Sequence, residues 1–346
     1  MHSTAPPPSP RPVRRLGHRV AALLVVTLAA LLAPTGAQAA VSPSYVALGD
    51  SYSSGTGTRA YLPDGSSCLR SVYAYPSLIA AARGYALNFR ACSGATIPDV
   101  TTTQLSALTP DTSYVTISVG GNDAGFADVL TECAKPGWLS NCTRAINGAQ
   151  AYIDNTLPAA LTALYADIRT RAAGARVVVV GYPRIFNGED CNAATWFSPS
   201  EEARLNATAD LLNSRLATQA TAAGFGFANP TVPFDGHAVC DDVEWINGLS
   251  WPIIESYHPN RAGQASGYTP TVSPLLVGAV VRATASVLEA AARQGAALAS
   301  QQRQYATAEA HITPEEFVRP DLTTRAARAA AHEAGIDLNR WLARHS

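Results

Sequence analysis

Ser51 stands in Gly49-Asp50-Ser51-Tyr52-Ser53-Ser54-Gly55, directly after the apolar run YVALG at residues 45–49. A serine hydroxyl is a weak nucleophile at neutral pH and needs a positioned base. Between residues 40 and 291 the chain has only two histidines, His237 and His258. His258 lies in Glu255-Ser256-Tyr257-His258-Pro259, whereas His237 sits close to Cys240 and reads more simply as a loop residue. Acyl transfer also needs donors for a developing oxyanion, often the largest catalytic contribution. Cys92-Ser93-Gly94-Ala95 could present a bare glycine N–H, and Gly120-Gly121-Asn122-Asp123 a side-chain amide. Each block alone is no more than a plausible turn. Their weight comes from all following strand candidates, at the sheet edge where open α/β folds place their chemistry.

Alternating elements can bring these blocks together. Strands are predicted over residues 45–49, 87–91, 114–119, 176–180 and 224–228, and helices over 72–83, 150–173 and 201–223, the last behind Ser200 as N-cap. The uninterrupted run RVVVV at 176–180 suits a strand buried on both faces. Strands separated by helices predict a three-layer α/β/α sandwich around a parallel sheet. Residues 229–260 form a long connection with little periodicity, and such loops are usually functional. Its apolar residues Phe234, Val239, Trp245, Ile246, Leu249 and Trp251 either line a substrate pocket or pack the loop itself. A closing helix is predicted over 275–291.

In order along the chain, Gly49-Asp50-Ser51, Gly94, Gly120-Gly121-Asn122-Asp123 and His258 resemble the four blocks of the SGNH/GDSL hydrolase superfamily. The fuller strings GDSYSSGTGT, ACSGAT, SVGGND and ESYHPN are similar to its secreted lipase and phospholipase A1 branch. The resemblance covers residues 42–290 and implies a flavodoxin-like SGNH fold. It implies Ser51 as nucleophile, His258 as base, an oxyanion hole from the Ser51 and Gly94 N–H groups with Asn122, and Asp50 as a brace. The superfamily usually has Asp three residues before the histidine; here that residue is Glu255. In the branch, a main-chain carbonyl two residues before the histidine can orient it instead, which here is that of Ser256. Both orienters stay open. The implied activity is cleavage of acyl-lipid or small esters by a monomer without cofactor or metal. A carbohydrate esterase or deacetylase on the same fold, and a noncatalytic secreted binding protein, are the competing readings.

The rest of the chain sets the compartment. Arg11, Arg14, Arg15 and Arg19 precede an apolar run at 20–33 and Ala37-Gln38-Ala39, the grammar of a signal peptide over residues 1–39 cleaved near Ala39. The run is shorter than the ~20 residues needed to span a bilayer, so no stable membrane anchor is expected. In an exported domain six cysteines favour disulfides. Nearest-neighbour pairing is the simplest scheme, Cys68–Cys92, Cys133–Cys142 and Cys191–Cys240, and it also fits the branch. No CxxC pair is present, which disfavours zinc. A formal net charge of −1 gives no sign of a nucleic-acid partner. The hydrolase domain is expected over 40–291, with 14 basic and 20 acidic residues, a net of −6. The extension 292–346 has 7 basic and 6 acidic residues, a net of +1. It is expected as a surface helix or a poorly ordered appendage, with Thr313-Pro314-Glu315-Glu316 as a helix start.

Overall fold

The computed structural model describes residues 1–10 and 42–345. The basic region, the apolar run and the Ala39 cleavage site all lie outside them. Five strands, β1 (Ser44–Gly49), β2 (Ala86–Phe89), β3 (Tyr114–Ser118), β4 (Arg176–Val180) and β5 (Gly226–Ala228), form one parallel sheet in the order β2-β1-β3-β4-β5. This is the expected α/β architecture, and its order is the flavodoxin-like one. Tyr45 through Leu48 are almost wholly buried, as are all the valines of β4. That burial explains why these strands read as continuous apolar runs rather than alternating ones.

Two groups of helices flank the sheet. One contains α2 (Tyr75–Arg83), α7 (Thr269–Val277) and α8 (Ala285–Gln302). The other contains α3 (Phe126–Cys133), α4 (Cys142–Asn155), α5 (Leu157–Arg171) and α6 (Pro199–Ala222). A one-turn helix, α1 (Ser51–Ser54), follows β1. The three disulfides Cys68–Cys92, Cys133–Cys142 and Cys191–Cys240 are formed.

Several boundaries differ from the sequence reading. The helix predicted over 150–173 is two helices that meet at Thr156, because Pro158 lacks the N–H that would continue the first. The N-cap of α6 is Ser198, not Ser200. Pro199 takes the first helical position, where an absent N–H costs nothing, and Ser198 and Glu201 close a capping box. The closing helix is also two: Gly278, at φ +72°, ends α7, and Thr284 caps α8.

The extension is the largest difference. The boundary at 291 falls inside α8, and residues beyond it belong to the same compact unit as the sheet. Helices α9 (Arg325–Glu333) and α10 (Leu338–His345) occur where a surface helix was expected. A poorly ordered appendage does not describe the segment: Glu309, Ile312, Phe317, Leu322, Ala327 and Ala331 are all buried. No helix starts at Thr313; residues 312–321 run without helix or strand. Pro314 disfavours helical backbone at Thr313, and the segment lies against Gly94 in the turn after β2 rather than winding on itself.

Candidate active site

The order of the sheet reverses between β1 and β3, the switch point where such sheets open a crevice. The block after β1 supplies Ser51, the block after β3 supplies Asn122, and the block after β2 supplies Gly94. All three line one pocket with His258.

Ser51 is the first residue of α1, so its N–H has no acceptor within the helix. Its Oγ lies 2.9 Å from His258 Nε2. His258 Nδ1 lies 3.0 Å from the main-chain oxygen of Ser256. Glu255 faces elsewhere: its carboxylate accepts from the Tyr61 hydroxyl at 2.6 Å and from Arg59 Nε at 3.3 Å. Of the two candidate orienters, only the Ser256 carbonyl is therefore in hydrogen-bond reach of the imidazole. The imidazole is partly buried, and desolvation lowers its pKa to about 4, partly offset by the Ser256 bond. It is neutral at pH 7 and can accept a proton from Ser51.

Asp50 lies at the base of the pocket with its carboxylate engaged by neighbouring donors. Its carboxylate accepts from Ser118 Oγ at 2.6 Å, from the Tyr52 N–H at 3.0 Å and from the Tyr182 hydroxyl. Burial raises its pKa to about 6 despite these bonds. The Asn122 amide donates one N–H to the Ala95 carbonyl at 2.9 Å, which ties the β3 block to the β2 block. Asp123 accepts from the Ile97 N–H at 3.0 Å and fixes the same junction. His237 stacks on Trp245 with ring centroids 3.7 Å apart and is not at the pocket.

Sequence reasoning missed several positioning groups. Gln104 grips the end of β1 through both amide atoms, accepting from the Gly49 N–H at 2.7 Å and donating to the Gly49 carbonyl at 2.9 Å. Gln264 donates to the Tyr52 carbonyl at 3.0 Å, and the Tyr52 hydroxyl donates to the Tyr257 carbonyl at 2.9 Å. The turn that carries Ser51 is thereby tied to the histidine loop. Asn247 closes that loop, with its N–H on the His258 carbonyl and its own carbonyl on the Tyr257 N–H, both at 2.9 Å. Tyr257 is held at φ +61°, a left-handed conformation that costs a non-glycine residue about 1–3 kcal/mol. No local sequence signal marks these residues, because their partners are up to 212 positions away.

The pocket wall decides between the two readings of the 229–260 apolar residues. None of the apolar residues proposed from the 229–260 loop lines it. Phe234, Val239 and Ile246 are buried instead, Phe234 against Trp245 and Tyr268 and Val239 beside Phe186, and Trp251 is exposed. The wall comes from the second helical group: Val129 and Leu130 on α3, Ile153 on α4, and Leu205 and Leu212 on α6, with Ile185. Cys191, Cys240 and Glu244 come close enough together to suggest a metal site, but both sulfurs are in a disulfide. They are not available as thiolate ligands.

A serine bonded to a neutral histidine at the switch point of an open parallel sheet is an arrangement that can carry out nucleophilic acyl transfer. The chain belongs to the GDSL-like lipase/acylhydrolase family, whose match spans residues 47–265, and it is a carboxylic ester hydrolase. It is 43% identical over 267 residues to a lipase of Streptomyces rimosus, with 75% of this chain and 98% of that protein covered. It is similar to the crystal structure of an extracellular lipase from Streptomyces rimosus, at 42% identity and a TM-score of 0.64, covering 68% of this chain and 100% of that one. A phospholipase A1 from Streptomyces albidoflavus gives 41% identity and a TM-score of 0.64, covering 67% and 98%.

Proposed function

We propose that the protein is a secreted lipid-ester hydrolase that works through an acyl-enzyme on Ser51. The carrying observation is the 2.9 Å Ser51–His258 hydrogen bond at a pocket walled by aliphatic side chains. Ser51 Oγ attacks the ester carbonyl while His258 Nε2 takes its proton. The Nδ1–H of the resulting imidazolium is held by the Ser256 carbonyl. The Ser51 and Gly94 N–H groups and the Asn122 amide receive the oxyanion. His258 then returns the proton to the leaving alcohol, and a water deacylates Ser51 by the same route in reverse. Asp50 holds the turn and takes no part in proton transfer. The leader and the extracellular lipase among its relatives support export.

An apolar wall of this kind suits an acyl chain longer than acetyl. It favours lipid esters over acetylated carbohydrate. A panel of p-nitrophenyl esters, triglyceride and phospholipid, with Ser51→Ala as control, tests both parts. Ser51→Ala is expected to lower kcat/KM by at least about 1,000-fold. Turnover should favour acyl chains longer than acetate. Full activity in Ser51→Ala would refute the mechanism, and a sharp preference for acetyl would refute the substrate class.

A further inference from the structure

The extension crosses the cleft. Glu309 is anchored on one side by Arg70 at 2.7 Å and Arg90 at 2.9 Å. Ser67 Oγ donates to the Ile312 carbonyl at 2.9 Å, and His311 Nε2 lies 3.1 Å from Asp99. The chain then passes over Gly94. A methyl group at Gly94, which has φ +84°, would lie 2.1 Å from the Thr313 carbonyl oxygen. Only glycine allows so close an approach, at one of the groups assigned above to the oxyanion. Beyond it, Glu315 and Phe317 line the pocket beside Ser51 and His258. Phe317 is buried against the Tyr257 ring at 5.1 Å, and the Val318 N–H donates to Thr131 Oγ1 on α3 at 2.9 Å. The segment is thus fixed at both banks of the cleft and contributes Glu315 and Phe317 to the wall of the Ser51 pocket. Ser51 in the same pocket is only 5% exposed.

We propose that residues 309–318 are an intramolecular strap that closes the pocket over Ser51 and His258, so that this form of the enzyme is latent and gains activity when the strap is displaced. The inference rests on Ser51 being the nucleophile. The family match ends at residue 265, before the strap begins.

The strap also carries the means of its own release. Glu315 Oε2 is buried without a hydrogen-bond partner. Burial raises the pKa of this carboxyl to about 7, with Asp128, Asp123 and Asp50 adding repulsion and the Ala127 N–H offsetting part of it. The other titratable groups lining the pocket are Asp50, the Tyr52, Tyr182 and Tyr257 hydroxyls and His258, and His258 is neutral at pH 7. The closed form therefore holds a proton that the open form, with an ordinary carboxyl, gives up. Closure is fully favoured below the ordinary value of 4.5 and weakens as pH rises through about 7.

The test compares the full chain with a truncation after Ile312 and with full-length Phe317→Asp. The truncation retains Glu309, and the substitution puts a charge in the apolar pocket. Labelling by a fluorophosphonate and hydrolysis of p-nitrophenyl butyrate are both read at pH 6 and pH 8. Both variants should react at least tenfold faster than the full chain at pH 6, with the gap narrowing at pH 8. Glu315→Gln should remove that narrowing. If the truncation fails to fold, judged by circular dichroism melting, Phe317→Asp decides alone. Rates within twofold in all folded forms, or slower rates in the variants, would overturn the strap. If no folded form is labelled at either pH, Ser51 is not the nucleophile and the strap's function falls with it.

Discussion

Glu255 and Ser256 are adjacent in the chain and point opposite ways. Turn geometry delivers the Ser256 carbonyl to Nδ1, while Tyr61 and Arg59 hold the Glu255 carboxylate away. Glu255→Gln is accordingly expected to leave kcat/KM within about tenfold of the parent, against the roughly 10,000-fold loss known where a carboxylate orients the histidine. Steady-state kinetics on a soluble ester measures this, and a loss of several orders of magnitude would restore Glu255 to the relay. At this scale the sequence was informative where a residue type is scarce. Two histidines in the domain made His258 findable, and the glycine blocks marked Gly94 and Asn122. It left the orienter open between Glu255 and the Ser256 carbonyl, because a main-chain carbonyl has no residue type of its own.

Elements were legible wherever burial imposes a pattern. The strands were visible as apolar runs because helices cover both faces of the sheet. Helix breaks at Thr156 and Gly278 were not, since the apolar spacing continues across them and only local capping divides it. The turns at 100–104 were overlooked as well, and they carry Gln104. Its amide is the side-chain partner of the buried Gly49 N–H at the root of the nucleophile turn. The Gly49 carbonyl keeps a second donor, the Cys92 N–H at 2.9 Å. Gln104→Ala therefore orphans mainly one N–H, at a cost of about 1–3 kcal/mol. A lower urea midpoint at unchanged slope would show it. kcat should fall with it, since the turn that aims Ser51 loses its clamp, and an unchanged kcat would mean that the disulfide Cys68–Cys92 and the Asp50 bonds suffice.

The whole molecule is tied together by charges that no local reading could pair. Arg70 and Arg90, both fully buried, are balanced by Asp64 and Glu309, and Glu309 comes from the extension 219 residues after Arg90. A near-neutral extension looked like an appendage because its single most important charge finds its partners only in three dimensions. The same folding leaves carboxyls under strain: burial raises Asp50 to about 6 and Glu202 and Glu315 to about 7. Each group binds its proton more tightly in the folded state, so each contributes stability at low pH that is lost as pH rises. For Asp50 the window runs from 3.8 to about 6, and for the two glutamates from 4.5 to about 7. His258 acts in the opposite sense, since its lowered pKa makes the unfolded chain the better proton acceptor between 6.5 and about 4. Three groups outweigh one across most of that range. The protein should melt at a higher temperature at pH 5.5 than at pH 8, the reverse of a protein stabilised chiefly by ionised carboxylates. Glu202→Gln should flatten this dependence without altering the rate of hydrolysis, because Glu202 lies away from the pocket wall. Thermal melts of the parent and Glu202→Gln between pH 5 and 8 measure both effects. A melting temperature that rises steadily toward pH 8 in the parent would show that these carboxyls are already ionised in the fold.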